Sequence, residues 1–182
     1  MTVTTRSLTL TALFAALLSV SAYIRIPFFL VPLTLQSPVV LITGWCLGPR
    51  YGPTATLLYT AIGLAGLPVF ASGGGPAYVL SPTFGYIVGF TVCAFVTGLF
   101  AQLTRRESPF AAYFLMLAGL GGLYLPGLLW LGLAMRWIAP VSSDIMTVLR
   151  AGFLIPFAGD ILTTIPAAIV AVRVRKSMRR TV

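Results

Sequence analysis

The sequence predicts an all-α membrane protein with six transmembrane helices and cytoplasmic termini. Composition is the first observation, because 58% of the 182 residues are hydrophobic and only 8% are charged. A soluble domain of this length could not cover its surface with so few charges. The second observation is a series of apolar runs, at residues 8–24, 38–48, 54–71, 85–103, 110–135 and 151–172. They follow one another without a long linker, so we expect residues 1–182 to form a single domain in the lipid bilayer.

The third observation is the distribution of positive charge. Six spans place both termini on the same side of the membrane. With the termini inside, nine of the 12 lysines and arginines are cytoplasmic, and Arg25, Arg136 and Arg150 are external. This distribution satisfies the positive-inside rule and predicts a multi-pass protein of the cell membrane. The first run could also be a cleavable signal peptide, but its removal would leave the remainder one helix short.

Several function classes are excluded by the same composition. The formal charge is +9, yet the cations lie at the ends of apolar runs and form no basic face, which argues against nucleic acid as a partner. The chain has no histidine, and its two cysteines, Cys46 and Cys93, lie within apolar runs. Ser-His-Asp catalysis, Cys-His catalysis and most zinc chemistry therefore lack their residues. We expect neither enzymatic activity nor a metal site nor a cofactor.

Small residues mark the first run. Ala12 and Ala16 lie four residues apart and form part of a face suited to close helix contact. By spacing alone, this face packs against another helix of the same chain or against a partner protein.

A proline-rich segment follows the first run. Residues 27–38 contain three prolines, which forbid a continuous helix, and their polar members are Thr34, Gln36 and Ser37. Irregular backbone at membrane depth survives only where it is buried in protein or lines a cavity. The segment is therefore either part of a pocket or a plain external connection.

A glycine-rich loop follows the third run. Gly73, Gly74 and Gly75 stand together between two prolines, which lets backbone approach a ligand closely and points amides into a concavity. No Lys-Ser/Thr follows, so a phosphate-binding loop is a poor interpretation. A flexible turn would explain the glycines but not the neighbouring aromatic residues, which are Phe70, Tyr78 and Tyr86. These aromatics could wall a pocket or pack between helices.

Asp160 is the acidic residue that requires an explanation. Of the three acidic residues, Glu107 and Asp144 lie in polar surroundings, whereas Asp160 is flanked by apolar residues on both sides. Arg173 ends the run 13 residues later, roughly 20 Å along a helix, which leaves the carboxylate well inside a layer about 30 Å thick. A lone carboxylate there costs at least about 2.5 kcal/mol, so it should face the protein interior or a wet cavity. We interpret Asp160 as the polar end of a ligand pocket; the alternative is a hydrogen-bonded structural carboxylate.

Four motifs in this order resemble the BioY family, the biotin-binding S components of energy-coupling factor (ECF) transporters. They are Val-Pro-Leu-Thr-Leu-Gln at 31–36, Gly-Leu-Pro-Val-Phe at 66–70 with the glycine cluster, Pro-Thr-Phe-Gly-Tyr at 82–86, and Ile-Pro-Phe-Ala-Gly-Asp at 155–160. The resemblance covers nearly the whole chain and implies an S-component-like bundle in a bacterial plasma membrane. It implies a biotin pocket open to the outside, built from the first loop, the glycine loop and the last helices.

The resemblance also implies partners. Many members work with a transmembrane coupling protein and two cytoplasmic ATPases, and some appear without them. The face with Ala12 and Ala16 is similar to the surface used against the coupling subunit.

Site roles follow from the chemistry of biotin, which carries a cyclic urea, an apolar bicycle and a carboxylate chain. The urea offers N–H donors, which an ionised Asp160 would accept. Thr34 and Gln36 would supply orienting polar contacts, and Phe70, Tyr78 and Tyr86 the apolar walls.

The chain departs from the family pattern at the end of the site. Many members carry a lysine three residues after the aspartate, where this chain has Thr163, and Ser81 and Phe84 replace two glycines. The ligand carboxylate would then meet the amides of residues 73–75, tyrosine hydroxyls, an external arginine or water. These departures keep one alternative open, an S component or solitary carrier for another small vitamin.

Overall fold

The computed structural model describes residues 4–26, 31–104, 108–137, 146 and 149–180. Within them the chain is mostly helical, as predicted. The helices are α1 (Thr5–Ser21), α2 (Gln36–Leu64), α3 (Phe84–Leu103), α4 (Pro109–Trp137) and α5 (Ile155–Arg180). A 3₁₀ helix covers Pro76–Leu80, and a π-helical turn covers Arg150–Leu154 immediately before α5. The charged connection at 105–107 and the polar connection around Asp144 lie outside the described residues.

The second and third apolar runs form one assigned helix with a sharp break inside it. Gly48 in α2 has φ 76° and ψ −177°, which is not helical, and Pro49 starts the second half at a position that suits proline. The break packs on α3, because a Cβ added to Gly98 would lie 2.5 Å from the Gly48 carbonyl carbon. The sequence has two apolar runs, 38–48 and 54–71, on either side of this point. The helical halves on either side therefore correspond to those runs.

Membrane-spanning character is clearest in the second half of the chain. Among the described residues, three helical stretches are long and apolar enough to cross a bilayer, namely Phe84–Leu103, Pro109–Arg136 and Arg150–Arg179. Helix α1 is apolar but shorter. Large apolar side chains such as Leu103, Phe110 and Leu162 are 67–74% exposed, as expected for a surface in contact with lipid. The count of six spans and the cytoplasmic termini stay predictions.

The proline-rich segment contains a small hairpin that the sequence did not predict. Strands β1 (Arg25–Ile26) and β2 (Leu33–Thr34) pair antiparallel, with Arg25 opposite Thr34. Residues 27–30 between them lie outside the described part of the chain. The paired strands connect α1 to α2 and lie over one end of the helices.

Helix α5 is longer than the apolar run that predicted it. It begins within the run and continues to Arg180, beyond the predicted end at residue 172. The basic tail is therefore helical as far as it is described, and Asp160 and the tail lie on one helix.

Candidate ligand-binding site

A cavity lies between the hairpin, the start of α2, the 3₁₀ helix and helices α3 to α5. The space open to the centre of a water molecule is about 60 Å³, and the non-atom space is about 560 Å³ when the open mouth is included. The lining combines apolar and polar side chains, namely Val31, Pro32, Leu33, Thr34, Gln36, Ser37, Ala71, Tyr78, Thr83, Tyr86, Ile87, Phe90, Leu123, Tyr124, Pro156 and Asp160. It contains a single acidic group and no lysine or arginine from the described residues. The cavity suits a mostly apolar ligand with a few polar groups.

Asp160 forms the acidic end of this cavity. Its side chain is 7% exposed, and the Tyr124 hydroxyl donates a hydrogen bond of 2.7 Å to its Oδ2 atom. Ser37 lines the same cavity and lies near the carboxyl group. The Thr164 hydroxyl donates instead to the Asp160 backbone carbonyl, at 2.6 Å. Because an ionised carboxylate has about four acceptor positions, Asp160 retains acceptor capacity for a ligand.

Aromatic packing fixes the position of the Tyr124 hydroxyl. The Tyr124 ring meets Phe153 and Phe157 edge-on, with centroids at 5.2 and 5.6 Å, and Tyr86 at 6.2 Å. Phe153 and Phe157 stack on each other at 4.9 Å. Such contacts favour one ring orientation. The donor to Asp160 is therefore held in place before a ligand binds.

Thr34 and Gln36 both line the cavity, as expected from the sequence. The Gln36 side-chain amide donates to the Tyr59 hydroxyl at 2.6 Å, and the Thr34 hydroxyl donates to the Gln36 carbonyl oxygen at 3.3 Å. Gln36 is 4% exposed. Since both ends of its amide already have partners, Gln36 chiefly holds Thr34 and the start of α2 in position.

Tyr78 and Tyr86 line the cavity with their hydroxyls already bonded to the protein. The Tyr86 hydroxyl donates to the Gly152 carbonyl at 2.7 Å, and the hydroxyls of Tyr78 and Thr83 lie 3.3 Å apart. Both side chains are therefore placed to offer their rings to a ligand, as the interpretation of them as walls requires.

Phe70 lies behind the wall rather than in the cavity lining. It is 2% exposed and contacts the Tyr59 and Tyr78 rings, with centroids at 5.4 and 4.5 Å. Gly63 gives the ring its space, because a Cβ there would lie 2.1 Å from the Phe70 ring. Phe70 is thus placed to support Tyr78 from behind.

Gly73 and Gly74 also lie outside the cavity lining. The Gly73 amide donates to the Phe70 carbonyl at 3.1 Å, and the Gly75 amide donates to the Gly63 carbonyl at 2.7 Å. A Cβ on Gly74 would lie 2.0 Å from a backbone carbonyl oxygen. Two amides that the sequence analysis assigned to a ligand carboxylate therefore bond to the backbone carbonyls of Phe70 and Gly63. The glycines allow the loop to fold closely.

Thr163 does not line the cavity but a neighbouring groove. The space in this groove that is open to the centre of a water molecule is about 260 Å³, and its walls are Ile24, Arg25, Ile26, Leu33, Thr34, Leu35, Gly159, Asp160 and Thr163. The cavity and the groove share Leu33, Thr34 and Asp160. Strand β2 therefore separates two spaces that meet at the same carboxylate.

Ala12 and Ala16 lie on the exposed side of α1. Leu13 and Leu17 beside them are also exposed, at 52% and 45%, whereas Ala15 and Leu18 face the core. Ala15, the third alanine of this small-residue face, thus packs within the chain, whereas the described helices leave Ala12 and Ala16 uncovered.

Tyr124, Ser37 and Thr83 are polar residues of the cavity lining that the sequence analysis did not assign to the site. Tyr124 lies in a long apolar run where a tyrosine is indistinguishable from a packing residue, and only the packing of α4 against α5 reveals its contact with Asp160. Ser37 was recognised as a polar member of the first loop, but nothing in the spacing placed it next to Asp160.

Comparisons with known proteins agree on one family. The model of the BioY family matches residues 1–180. The "Probable biotin transporter BioY" of Lysinibacillus sphaericus is 41% identical over 177 residues, covering 96% of this chain and 89% of that protein. The "Biotin transporter BioY" of Thermotoga maritima is 40% identical over 174 residues, covering 94% of this chain and 96% of that protein.

A solved structure has the same fold. It is the S-component for biotin from an ECF-type ABC transporter, and it superposes with a TM-score of 0.81 at 27% identity. The match covers 96% of this chain and 95% of that chain.

Proposed function

The chain belongs to the BioY family, and we propose that it is the membrane-embedded biotin-binding and uptake subunit of an ECF-type vitamin transporter. The observation that carries this function is a buried carboxylate, Asp160, which lines a cavity with a mostly apolar wall near the start of α5. The names of the relatives and of the solved S-component support biotin as the ligand.

The urea and the bicycle of biotin match the acidic group and the apolar wall of the cavity. Its urea N–H groups would donate to the acceptor positions of Asp160 that Tyr124 leaves available. Its apolar bicycle would lie against Tyr86, Phe90 and Leu123, which line the same space. Burial of apolar area would supply most of the affinity, and the carboxylate would select for the urea.

The remaining predicted site residues act in this proposal either at the ligand or indirectly, through the residues that line the cavity. Thr34 and Gln36 position the first loop over the ligand, and Tyr78 and Tyr86 form walls. Phe70, Gly73 and Gly74 act indirectly, by shaping and supporting the loop that carries Tyr78.

We propose six spans with both termini in the cytoplasm. The two halves of α2 count as separate spans in this arrangement, because the backbone breaks at Gly48. The distribution of lysine and arginine supports this orientation. The cavity mouth would then face the outside of a bacterial plasma membrane.

Energy for uptake would come from other proteins. The sequence has no phosphate-binding loop, so a transmembrane coupling protein and two cytoplasmic ATPases are the proposed partners. The uncovered face of α1 with Ala12 and Ala16 is the proposed contact with the coupling protein.

Equilibrium binding of labelled biotin to the purified full chain in detergent or nanodiscs tests this function. We expect saturable binding of one biotin per chain, which unlabelled biotin displaces. Other vitamins serve as competitors, because Thr163, Ser81 and Phe84 depart from the family pattern. Displacement by another vitamin at lower concentration than biotin would transfer the function to that vitamin, and no binding of biotin would reject it.

A further inference from the structure

The carboxylate chain of biotin has no cationic partner in the main cavity. Of the described residues that line it, the charged one is Asp160, and the other polar groups are hydroxyls and one amide. A ligand carboxylate in the same space would have no positive group to offset the charge of Asp160 in a poorly hydrated environment, which is unfavourable. The acidic end of the ligand should therefore lie elsewhere.

The groove beside β2 provides a cation. Arg25 lines it together with Asp160 and Thr163. Arg25 is opposite Thr34 in the β1–β2 pairing, so the strand that borders both spaces also fixes the position of the arginine backbone. The Arg25 side chain is exposed on the groove rather than buried in the core.

Gly159 leaves space between β2 and α5 at the boundary of the groove. A Cβ added there would meet only the Leu33 Cδ2 atom, at 3.7 Å, which is ordinary contact. The groove is thus bordered at this point by backbone rather than by a bulky side chain. A flexible aliphatic chain that starts beside Asp160 could pass here towards Arg25.

We propose that the groove lined by Arg25, Gly159 and Thr163 receives the carboxylate chain of the ligand, and that Arg25 is the cation that binds the carboxylate. This inference rests on the proposed function. Arg25 then supplies, from β1, the positive charge that this chain lacks at Thr163 on α5. A guanidinium suits the task because it can bind a carboxylate with two parallel hydrogen bonds.

The test compares biotin with biotin methyl ester, which has the same rings and chain but no negative charge. Affinities for both are measured by isothermal titration on the wild type and on Arg25→Gln, Arg25→Lys and Arg136→Gln. We expect the wild type to bind biotin at least about tenfold more tightly than the ester, since a charge-assisted contact is lost. Arg25→Gln should bind both ligands alike, with the affinity for the ester unchanged.

Two controls separate charge from structure. Arg136→Gln removes an exposed arginine at the end of α4 that lines neither space, and we expect it to retain the preference for biotin. Arg25→Lys should keep part of the preference for biotin over its methyl ester. Thr163→Lys introduced into Arg25→Gln should restore the preference, because the new cation projects from a wall of the same groove.

The outcomes distinguish this inference from the function on which it rests. If the wild type binds biotin and its ester equally, the carboxylate lies in water, and the role of Arg25 is rejected while biotin binding stands. If Arg25→Gln weakens both ligands equally, Arg25 acts on the hairpin or on lipid, which also overturns the inference. If the wild type binds neither ligand, the proposed function itself fails.

Discussion

The Tyr124 hydroxyl on α4 donates a hydrogen bond of 2.7 Å to the Asp160 carboxylate on α5. The two residues are 36 positions apart in the chain, and both line the same cavity. The bond orients one carboxylate oxygen and leaves the rest of the carboxylate to a ligand. The buried charge is thereby stabilised in part by the protein and in part by what enters the cavity.

Replacement of Asp160 with Asn should weaken biotin binding more than tenfold. The variant loses the charge and exchanges one acceptor oxygen for an amide NH₂ group. This group cannot accept a hydrogen bond from the N–H groups of the urea. Isothermal titration of the purified variant measures the effect, and size-exclusion chromatography verifies that it remains folded. Unchanged affinity would remove Asp160 from the site.

Replacement of Tyr124 with Phe should weaken biotin binding by roughly threefold to tenfold, which corresponds to about 1 kcal/mol, the typical contribution of one hydrogen bond. The ring and its contacts with Phe153 and Phe157 are kept. Tyr113→Phe is the matched control, because Tyr113 lies on the same helix and lines neither space at the site. Equal affinities for all three proteins would show that the hydroxyl does not contribute to the site.

Replacement of Gly98 with Ala should destabilise the fold by about 1–3 kcal/mol. The new Cβ would lie 2.5–2.8 Å from backbone atoms of Gly48 and Pro49, which cannot move aside without altering the break in α2. A thermal unfolding curve in detergent measures the change. Gly132→Ala is the control, since a Cβ there meets nothing within 4 Å, and a lower melting temperature for it than for Gly98→Ala would contradict the close packing of α2 on α3.

Replacement of Ala16 with Leu should leave biotin binding intact and reduce uptake several-fold in cells that contain the coupling proteins. The side chain at 16 is exposed, so leucine fits the isolated chain but blocks a close helix contact with a partner. Binding is measured on the purified chain, and uptake with labelled biotin in whole cells. Ala61→Leu, at an exposed alanine on α2, should affect neither; normal uptake by Ala16→Leu would remove this face from the partner contact.

The sequence identified Asp160 as a candidate site residue because a carboxylate in an apolar run has few explanations. It could not locate Tyr124, since apolar runs tolerate tyrosines in many packing roles and the helix–helix register decides which one meets the carboxylate. Gly48 and Pro49 explain the break in α2, because both residues disfavour a regular helix. The sequence did not predict the β1–β2 pairing, because two residues per strand are too few to show an alternation of apolar and polar residues.

The sequence also cannot distinguish which aromatic residue of the loop lines the cavity. Phe70 and Tyr78 look equivalent in the sequence, yet one is packed behind the other. The difference arises from Gly63 on α2, whose missing side chain opens a space for the Phe70 ring. Nothing in the spacing of the loop reveals a space formed by a distant glycine.

Asp160 and the arginines of the C-terminal tail belong to the same helix, α5. At about 1.5 Å per residue, the 13 positions from Asp160 to Arg173, where the basic tail begins, span roughly 20 Å, about two thirds of the thickness of the hydrocarbon layer. In the proposed orientation, a tilt of α5 at Asp160 would therefore displace its basic end on the cytoplasmic side of the membrane.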